Sequence, residues 1–227
     1  MMEAMFAFLH PQTKFEFRKI ARATKGKFDN YVYRNLRIGR ILASQYGAAL
    51  ELERNLMYLK RLMPWSFGSK EKYRKTLEPF VKSISFPSNF KFKQEKYDAD
   101  KEAEALEEFK KRNPSLKVDT CGLFIQEGLE YLAASPDGVV YDEANIPTAV
   151  IEIKCPLYLY KSTSMDGKSF PNFLIQDEST GQIKLNRSHN FFHEVQGQML
   201  ATDTKECYFV VYSPSGVFLQ ITVPFDQ

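Results

Sequence analysis

The sequence is poor in cysteine. Its three, Cys121, Cys155 and Cys207, are scattered over 227 residues, form no Cys-x-x-Cys pair and leave an odd total. A disulfide framework and a zinc cluster are thereby excluded, and a reducing, intracellular compartment is expected. No apolar run approaches the ~18 residues that a membrane span needs. The N-terminus, with Glu3 inside it and only Met5 to Leu9 as an apolar run, lacks the basic and hydrophobic regions of a secretory signal. Nucleus and cytoplasm stay open as locations, and no membrane is expected as a partner. An excess of one charge is lacking too: 31 basic against 28 acidic residues leave +3, too little to indicate nucleic acid by itself. No internal repeat, low-complexity tract or clean linker interrupts the chain. Hydrophobic residues at 44% and charged residues at 26% are ordinary globular values and argue against disorder.

The mild total conceals segregated charge. From Arg54 to Lys96 eleven basic residues stand against three acidic ones, a local +8, whereas Asp98, Asp100, Glu102, Glu104, Glu107 and Glu108 follow at once. A polyanionic partner and a solvated basic face account equally for the first stretch. Apolar residues at helical spacing (Leu36, Ile41, Leu42, Leu50, Leu52, Leu56, Leu59) predict a helix from Leu36 to Met63, broken at Gly47 and ended by Pro64. A second helix is predicted over Lys101 to Lys111, with Ala105, Leu106 and Phe109 on its apolar side. From Leu123 short β-type runs take over. A Ser-, Gly-, Asp- and Pro-rich excursion from Ser162 to Lys184 reads as a lid. Then come a helix over roughly Ser188 to Ala201 and two strands, Cys207 to Tyr212 and Val217 to Val223.

Two segments carry chemistry. Ser135-Pro136-Asp137-Gly138 has the composition of a turn. Further on, Glu152 stands in Val150-Ile-Glu-Ile-Lys-Cys-Pro156. On a strand, Glu152 and Lys154 share one face about 7 Å apart, with Ile151, Ile153 and Cys155 on the other, and Pro156 ends the ladder. A hairpin joining the two segments sets Asp137 beside Glu152. Converging carboxylates repel unless a cation sits between them. With oxygen ligands alone on offer, Mg2+ or Mn2+ fits better than zinc. The Ile153 carbonyl would complete the shell, and Lys154 would orient the attacking water and offset charge developing at phosphorus. A plain turn and a wet strand face explain each segment taken singly; a metal-dependent phosphodiesterase explains both together.

Other residues read more plainly. Cys155 faces away from Glu152 and is assigned to core packing, and His189 and His193 to a helix surface or a DNA contact. Phe86, Phe90, Phe92 and Tyr97 interleave with Lys91, Lys93 and Lys96. That pattern suits single-strand stacking and a half-buried edge strand equally.

Pro136-Asp137 followed by Glu152-Ile153-Lys154 resembles the PD-(D/E)XK nuclease signature. The flanks, Ala134-Ser-Pro-Asp-Gly138 and Ile151-Glu-Ile-Lys-Cys-Pro156, resemble the lambda phage exonuclease and YqaJ-type viral recombinase family. Arg37-Ile-Gly-Arg-Ile-Leu-Ala-Ser44 is similar to that family's first-helix motif, which implies that Arg37 and Ser44 hold a DNA 5′-phosphate. Glu102, in Glu102-Ala-Glu-Ala-Leu-Glu-Glu-Phe109, is similar to the family's further acidic metal-site residue. Gln196, in Glu194-Val-Gln-Gly-Gln-Met199, is similar to its active-site glutamine. Tyr97-Asp98 departs from the Trp-Gly pair that members often carry before the acidic helix.

The resemblance, from about Arg37 to Val223, implies an α/β fold with a restriction-endonuclease-like core, a central mixed β-sheet flanked by helices. It implies one nuclease domain, 1–227, with a mainly helical, basic DNA-binding part at 1–97 and a catalytic core at 98–227. It further implies a 5′→3′ exonuclease on double-stranded DNA, used in recombination or end processing and dependent on Mg2+, with Mn2+ as substitute. The implied catalytic residues are Asp137, Glu152, Lys154 and Gln196; the implied metal ligands are Asp137, Glu152, Ile153 and Glu102. A single-strand annealing protein and a homotrimer are the implied protein partners. A structure-selective endonuclease on the same core and a non-catalytic DNA-binding recombination module are the alternatives.

Overall fold

Strand alternation and one doubly buried strand organise the molecule. The computed structural model describes residues 14–62, 67–86, 93–160 and 171–226. Five helices come early: α1 (Lys14–Ala23), α2 (Tyr31–Leu36), α3 (Tyr46–Leu62), α4 (Phe67–Ser85) and α5 (Lys93–Arg112). The strands are β1 (Ile41–Leu42), β2 (Lys117–Asp119), β3 (Phe124–Ile125), β4 (Leu132–Ala134), β5 (Gly138–Tyr141), β6 (Pro147–Lys154), β7 (Leu174–Gln176), β8 (Ile183–Leu185), β9 (Glu206–Ser213) and β10 (Val217–Pro224), with α6 (Asn190–Thr202) between β8 and β9.

β6 is buried on both faces over most of its length, as a central strand must be when helices cover both sides of a sheet. It occupies the middle of the order β10-β9-β6-β5-β2. On one side Val150 packs with Val195 and Met199 of α6 and with Cys207, Phe209 and Val211 of β9. On the other, Ile151 and Ile153 pack with Ala105, Leu106 and Phe109 of α5. Full burial of a side chain such as Phe109 or Phe209 is worth about 1.5–3 kcal/mol, so the two helices are fixed to the sheet by several such contacts. β6 runs antiparallel to β5 and parallel to β9, and the sheet is therefore mixed. A parallel neighbour needs a long crossover, and the β7–β8 hairpin with α6 supplies it. The fold is α/β, a central mixed sheet flanked by helices.

A smaller sheet, β1-β4-β3, lies beside the main one. Ile20 of α1 and Tyr33 and Leu36 of α2 cover it through Leu123, Ile125 and Ala133. Thr24 ties α1 to this sheet: its hydroxyl donates to Ile20 O at 2.6 Å and accepts from Leu123 N at 2.7 Å. The approach is so close that a Cβ on Gly122 would stand 2.2 Å from Thr24 Oγ1 and 2.3 Å from its carbonyl carbon. No helix among the described residues is long and apolar enough to cross a membrane.

Several expectations are corrected here. The helix expected from Leu36 to Met63 is not continuous. α2 ends at Leu36, Gly39 adopts φ +74°, and Ile41–Leu42 leaves as a strand paired in parallel with Leu132 and Ala133. The expected break, Gly47, lies instead inside α3. The apolar pairs that mimicked helical spacing serve two different packing surfaces. The hairpin expected to bring Asp137 beside Glu152 is β5–β6, but Pro136-Asp137 is not itself a hairpin turn, since it links β4 of the small sheet to β5 of the main one. α5 begins eight residues before the expected Lys101. In the expected lid, Leu174–Gln176 and Ile183–Leu185 form an antiparallel hairpin, while 161–170 lie outside the described residues. Phe86 is 81% exposed at the end of α4 and belongs to no edge strand, and Phe90, Lys91 and Phe92 lie outside the described residues.

Candidate active site

The β5–β6 pairing fixes the first carboxylate. Asp137 N donates to Ile151 O at 3.0 Å, one step beyond the Gly138–Ile151 pair. The Asp137 side chain then turns back across the strand, and its Oδ2 accepts from Ile153 N at 2.9 Å. Asp137 is thus aligned beside Glu152 by local backbone geometry alone.

Period-2 alternation sets Glu152 and Lys154 on the α6 side of β6. Glu152 is 4% exposed and each of its oxygens is engaged: Oε1 by the Lys154 ammonium, Oε2 by Gln198 Nε2 at 2.6 Å. Lys154 also donates to Glu194 Oε2 at 3.0 Å, and its nitrogen stands 4.4 Å from the centre of the Phe191 ring. Burial pushes the Glu152 carboxyl well above its ordinary range; the Lys154 charge opposes this, while Asp137 and Glu194 add to it. Burial works against the Lys154 ammonium, but Glu152, Glu194 and Asp137 outweigh it and hold the lysine charged. So held, Lys154 presents a positive charge to the cleft.

Sequence reasoning missed Glu194, Gln198 and Lys27. Glu194 and Gln198 are four apart on α6, hence on one face, and that face looks at Glu152. Gln196 is two residues out of phase with it. Its Nε2 donates to Pro224 O at 2.9 Å and its Oε1 accepts from Asp226 N at 2.8 Å, so it pins the chain end and does not join the site. The signal was present in the motif Glu-Val-Gln-Gly-Gln-Met, where helical phase relative to buried Val195 and Met199 separates the two glutamines.

Lys27 enters from the turn after α1. Its ammonium lies 2.9 Å from Asp137 Oδ1. Gly26 and Lys27 have φ +85° and +44°, a left-handed backbone that costs a non-glycine residue about 1–2 kcal/mol. Asn30 holds this turn, with Nδ2 on the carbonyls of Ala23 and Lys25 and Oδ1 accepting from Val32 N and Tyr33 N. Burial lowers the Lys27 ammonium, yet the neighbouring Asp137 more than compensates and leaves it above its usual range. Beside it, burial pushes the Cys121 thiol up to about 12, against the opposing charge of Lys27.

These groups line one cleft of about 620 Å3, together with Arg37, Ser44, Glu102 and Ser135. Arg37 caps the end of α2 and Ser44 sits in the single helical turn Ala43–Gln45, so the two meet in the cleft without sharing a helix. Ser135 Oγ and Gln198 Oε1 are buried with no hydrogen-bond partner among the described residues. The donors facing the cleft are oxygen atoms, the set that suits a hard divalent cation. An orphaned carboxamide oxygen next to Glu152 fits the same ion or its water. Among the described residues no group of three or more His, Cys, Asp or Glu side chains is placed to hold a metal ion, so a cation would rest on two carboxylates with carbonyl, carboxamide or water oxygens. Cys155 lies in the α5-side core cluster, away from Glu152. His189 caps α6, its Nδ1 accepting from Phe191 N at 3.1 Å.

Comparison with known proteins gives the chain a family. Residues 32–205 match the YqaJ-like viral recombinase domain, and the chain belongs to that family. No curated protein sequence matches it. Among solved structures it is similar to an alkaline exonuclease, LHK-Exo, from Laribacter hongkongensis, at 19% identity and a TM-score of 0.48, over 84% of this chain and 79% of the other. It is also similar to the protein of a SOX–DNA complex, at 12% identity and a TM-score of 0.43, over 96% of this chain and 68% of the other.

Proposed function

We propose that this protein is a divalent-cation-dependent deoxyribonuclease that degrades duplex DNA from a 5′-phosphorylated end. Membership in the recombinase family supports a nuclease role. One observation carries the reading: Asp137, Glu152 and Lys154 share a cleft with Arg37, Ser44 and the orphaned hydroxyl of Ser135.

Asp137 and Glu152, with the Ile153 carbonyl and water oxygens, would hold Mg2+ or Mn2+, which supplies Lewis-acid charge at the scissile phosphate. The chain's own residues do the rest. Lys154, fixed by Glu152, Glu194 and Phe191, presents a positive charge where negative charge develops, with no reorganisation needed during the reaction. Gln198 restrains Glu152 Oε2 and so fixes the carboxylate plane. The Arg37 guanidinium offers paired donors to a terminal phosphate, and the hydroxyls of Ser44 and Ser135 add two more. The basic helix α4 and the Lys60-Arg61 end of α3 extend the positive surface for the duplex.

The test compares end-labelled duplexes carrying 5′-phosphate or 5′-hydroxyl ends, with Mg2+, on wild type and Arg37→Ala. Wild type should prefer the phosphorylated end, and Arg37→Ala should lose most of that preference while still cutting slowly. Equal rates on both ends in the wild type, or linearisation of closed circular DNA, would overturn the exonuclease reading in favour of an endonuclease. Binding without cleavage would favour the non-catalytic module.

A further inference from the structure

We infer that Lys27 is a built-in competitor for the cation position, an ammonium seated on the Asp137 carboxylate opposite the oxygen that the Ile153 amide holds, and that it sets the divalent-cation concentration at which the site loads. This rests on the cation site of the proposed function.

Asp137 presents two oxygens with different partners. Its Oδ2 is committed to the Ile153 amide at 2.9 Å, and that bond is part of the β5–β6 register. The Lys27 ammonium is on the other oxygen, Oδ1, at 2.9 Å. A divalent cation brought to this carboxylate is repelled by that ammonium across a few ångströms, and its binding is favoured when the ammonium withdraws.

The two lysines of the cleft differ in how firmly they are held. Lys154 is clamped by two carboxylates and an aromatic ring. Lys27 reaches Asp137 along a flexible four-carbon stem and keeps a side-chain exposure of 29%. It can therefore withdraw into the cleft while Lys154 stays.

The position of Lys27 is built and not accidental. Its backbone is left-handed after a left-handed Gly26, and the turn is closed by Lys27 N on Thr24 O and Asn30 N on Lys27 O. Thr24 in turn is locked against Leu123, 99 positions away. Moreover, Lys27 precedes residue 32, where the match to the family domain begins. The competitor is thus supplied by a segment outside the matched domain.

The test is calorimetric titration of DNA-free full-length protein with Mn2+ alone, on wild type, Lys27→Met and Lys25→Met. Lys25 pairs with Asp119 at 2.5 Å, and its removal takes away the same charge two residues off. Lys27→Met should bind Mn2+ at least tenfold more tightly than wild type, and Lys25→Met should match wild type. Equal affinity for wild type and Lys27→Met overturns the inference and leaves the proposed function standing. Equal tightening by both variants also overturns it, because a general charge effect then suffices. No Mn2+ binding by any of the three overturns the cation site and the inference with it. If Lys27→Met is unfolded without cation, circular dichroism during the titration decides: refolding at Mn2+ concentrations at least tenfold below those that bind wild type supports the competitor, and refolding only at or above them, or no refolding, overturns it.

Discussion

Gln198 Nε2 and Glu152 Oε2 stand 2.6 Å apart, and this bond ties helix α6 to the central strand at the carboxylate itself. Both side chains are buried, at 2% and 4% exposure. Loss of the amide leaves a buried carboxylate oxygen unsatisfied and free to rotate. Gln198→Ala should therefore lower turnover by about 10–100-fold, as removal of a partner of a metal-ligating group generally does. Gln196→Ala, at the surface against Pro224 and Asp226, should stay within about twofold. Steady-state rates on end-labelled duplex distinguish the two, and a larger loss from Gln196→Ala would reverse the assignment.

Asp137→Ala and Glu152→Ala should each abolish cation-dependent cleavage while the far-UV dichroism is unchanged. A loss of several kcal/mol of Lewis-acid stabilisation corresponds to at least about a hundredfold in rate. Residual activity within about tenfold of wild type, or roughly 1.4 kcal/mol, contradicts the site.

Lys154→Met should depress single-turnover cleavage far more than duplex affinity, because a fixed charge near the reacting phosphate acts on the transition state. Binding measured by fluorescence anisotropy with Ca2+, beside single-turnover rates with Mg2+, separates the effects. Weaker binding with unchanged turnover of bound DNA would make Lys154 an ordinary phosphate contact.

Gly122→Ala should lower the unfolding free energy by about 3 kcal/mol, the upper end for overpacking, because the new Cβ meets backbone and not a movable side chain. A urea melt reads the loss. An unchanged midpoint would show that the α1–β3 contact yields freely.

The parts legible in the sequence were those set by local rules. Asp137, Glu152 and Lys154 follow from a hairpin and a two-residue period, and β9 and β10 follow from a turn between apolar runs. What escaped depended on distant partners. Lys27 meets Asp137 across 110 positions and lies in a turn whose left-handed backbone no periodicity reveals. Gln198 and Gln196 are the same residue type two positions apart, and which one faces Glu152 is decided by how α6 rotates against the sheet. Arg37 and Ser44 were joined by a helix that Gly39 interrupts; the cleft brings them together by another route.

The parallel pairing of β6 with β9 has a consequence for the order of assembly. The β5–β6 hairpin is local, so Asp137 and Glu152 converge as soon as those strands meet. Glu194 and Gln198 arrive only when the crossover has closed and Ile151 has found Tyr208, a long-range step that pays its loop entropy before any contact repays it. During synthesis, a ribosome-bound chain that has not yet delivered α6 carries its two acidic groups on a finished hairpin but has neither the clamp on Lys154 nor the brace on Glu152. On the proposed reading, cutting ability waits for the crossover to close, well after the hairpin that carries the two carboxylates.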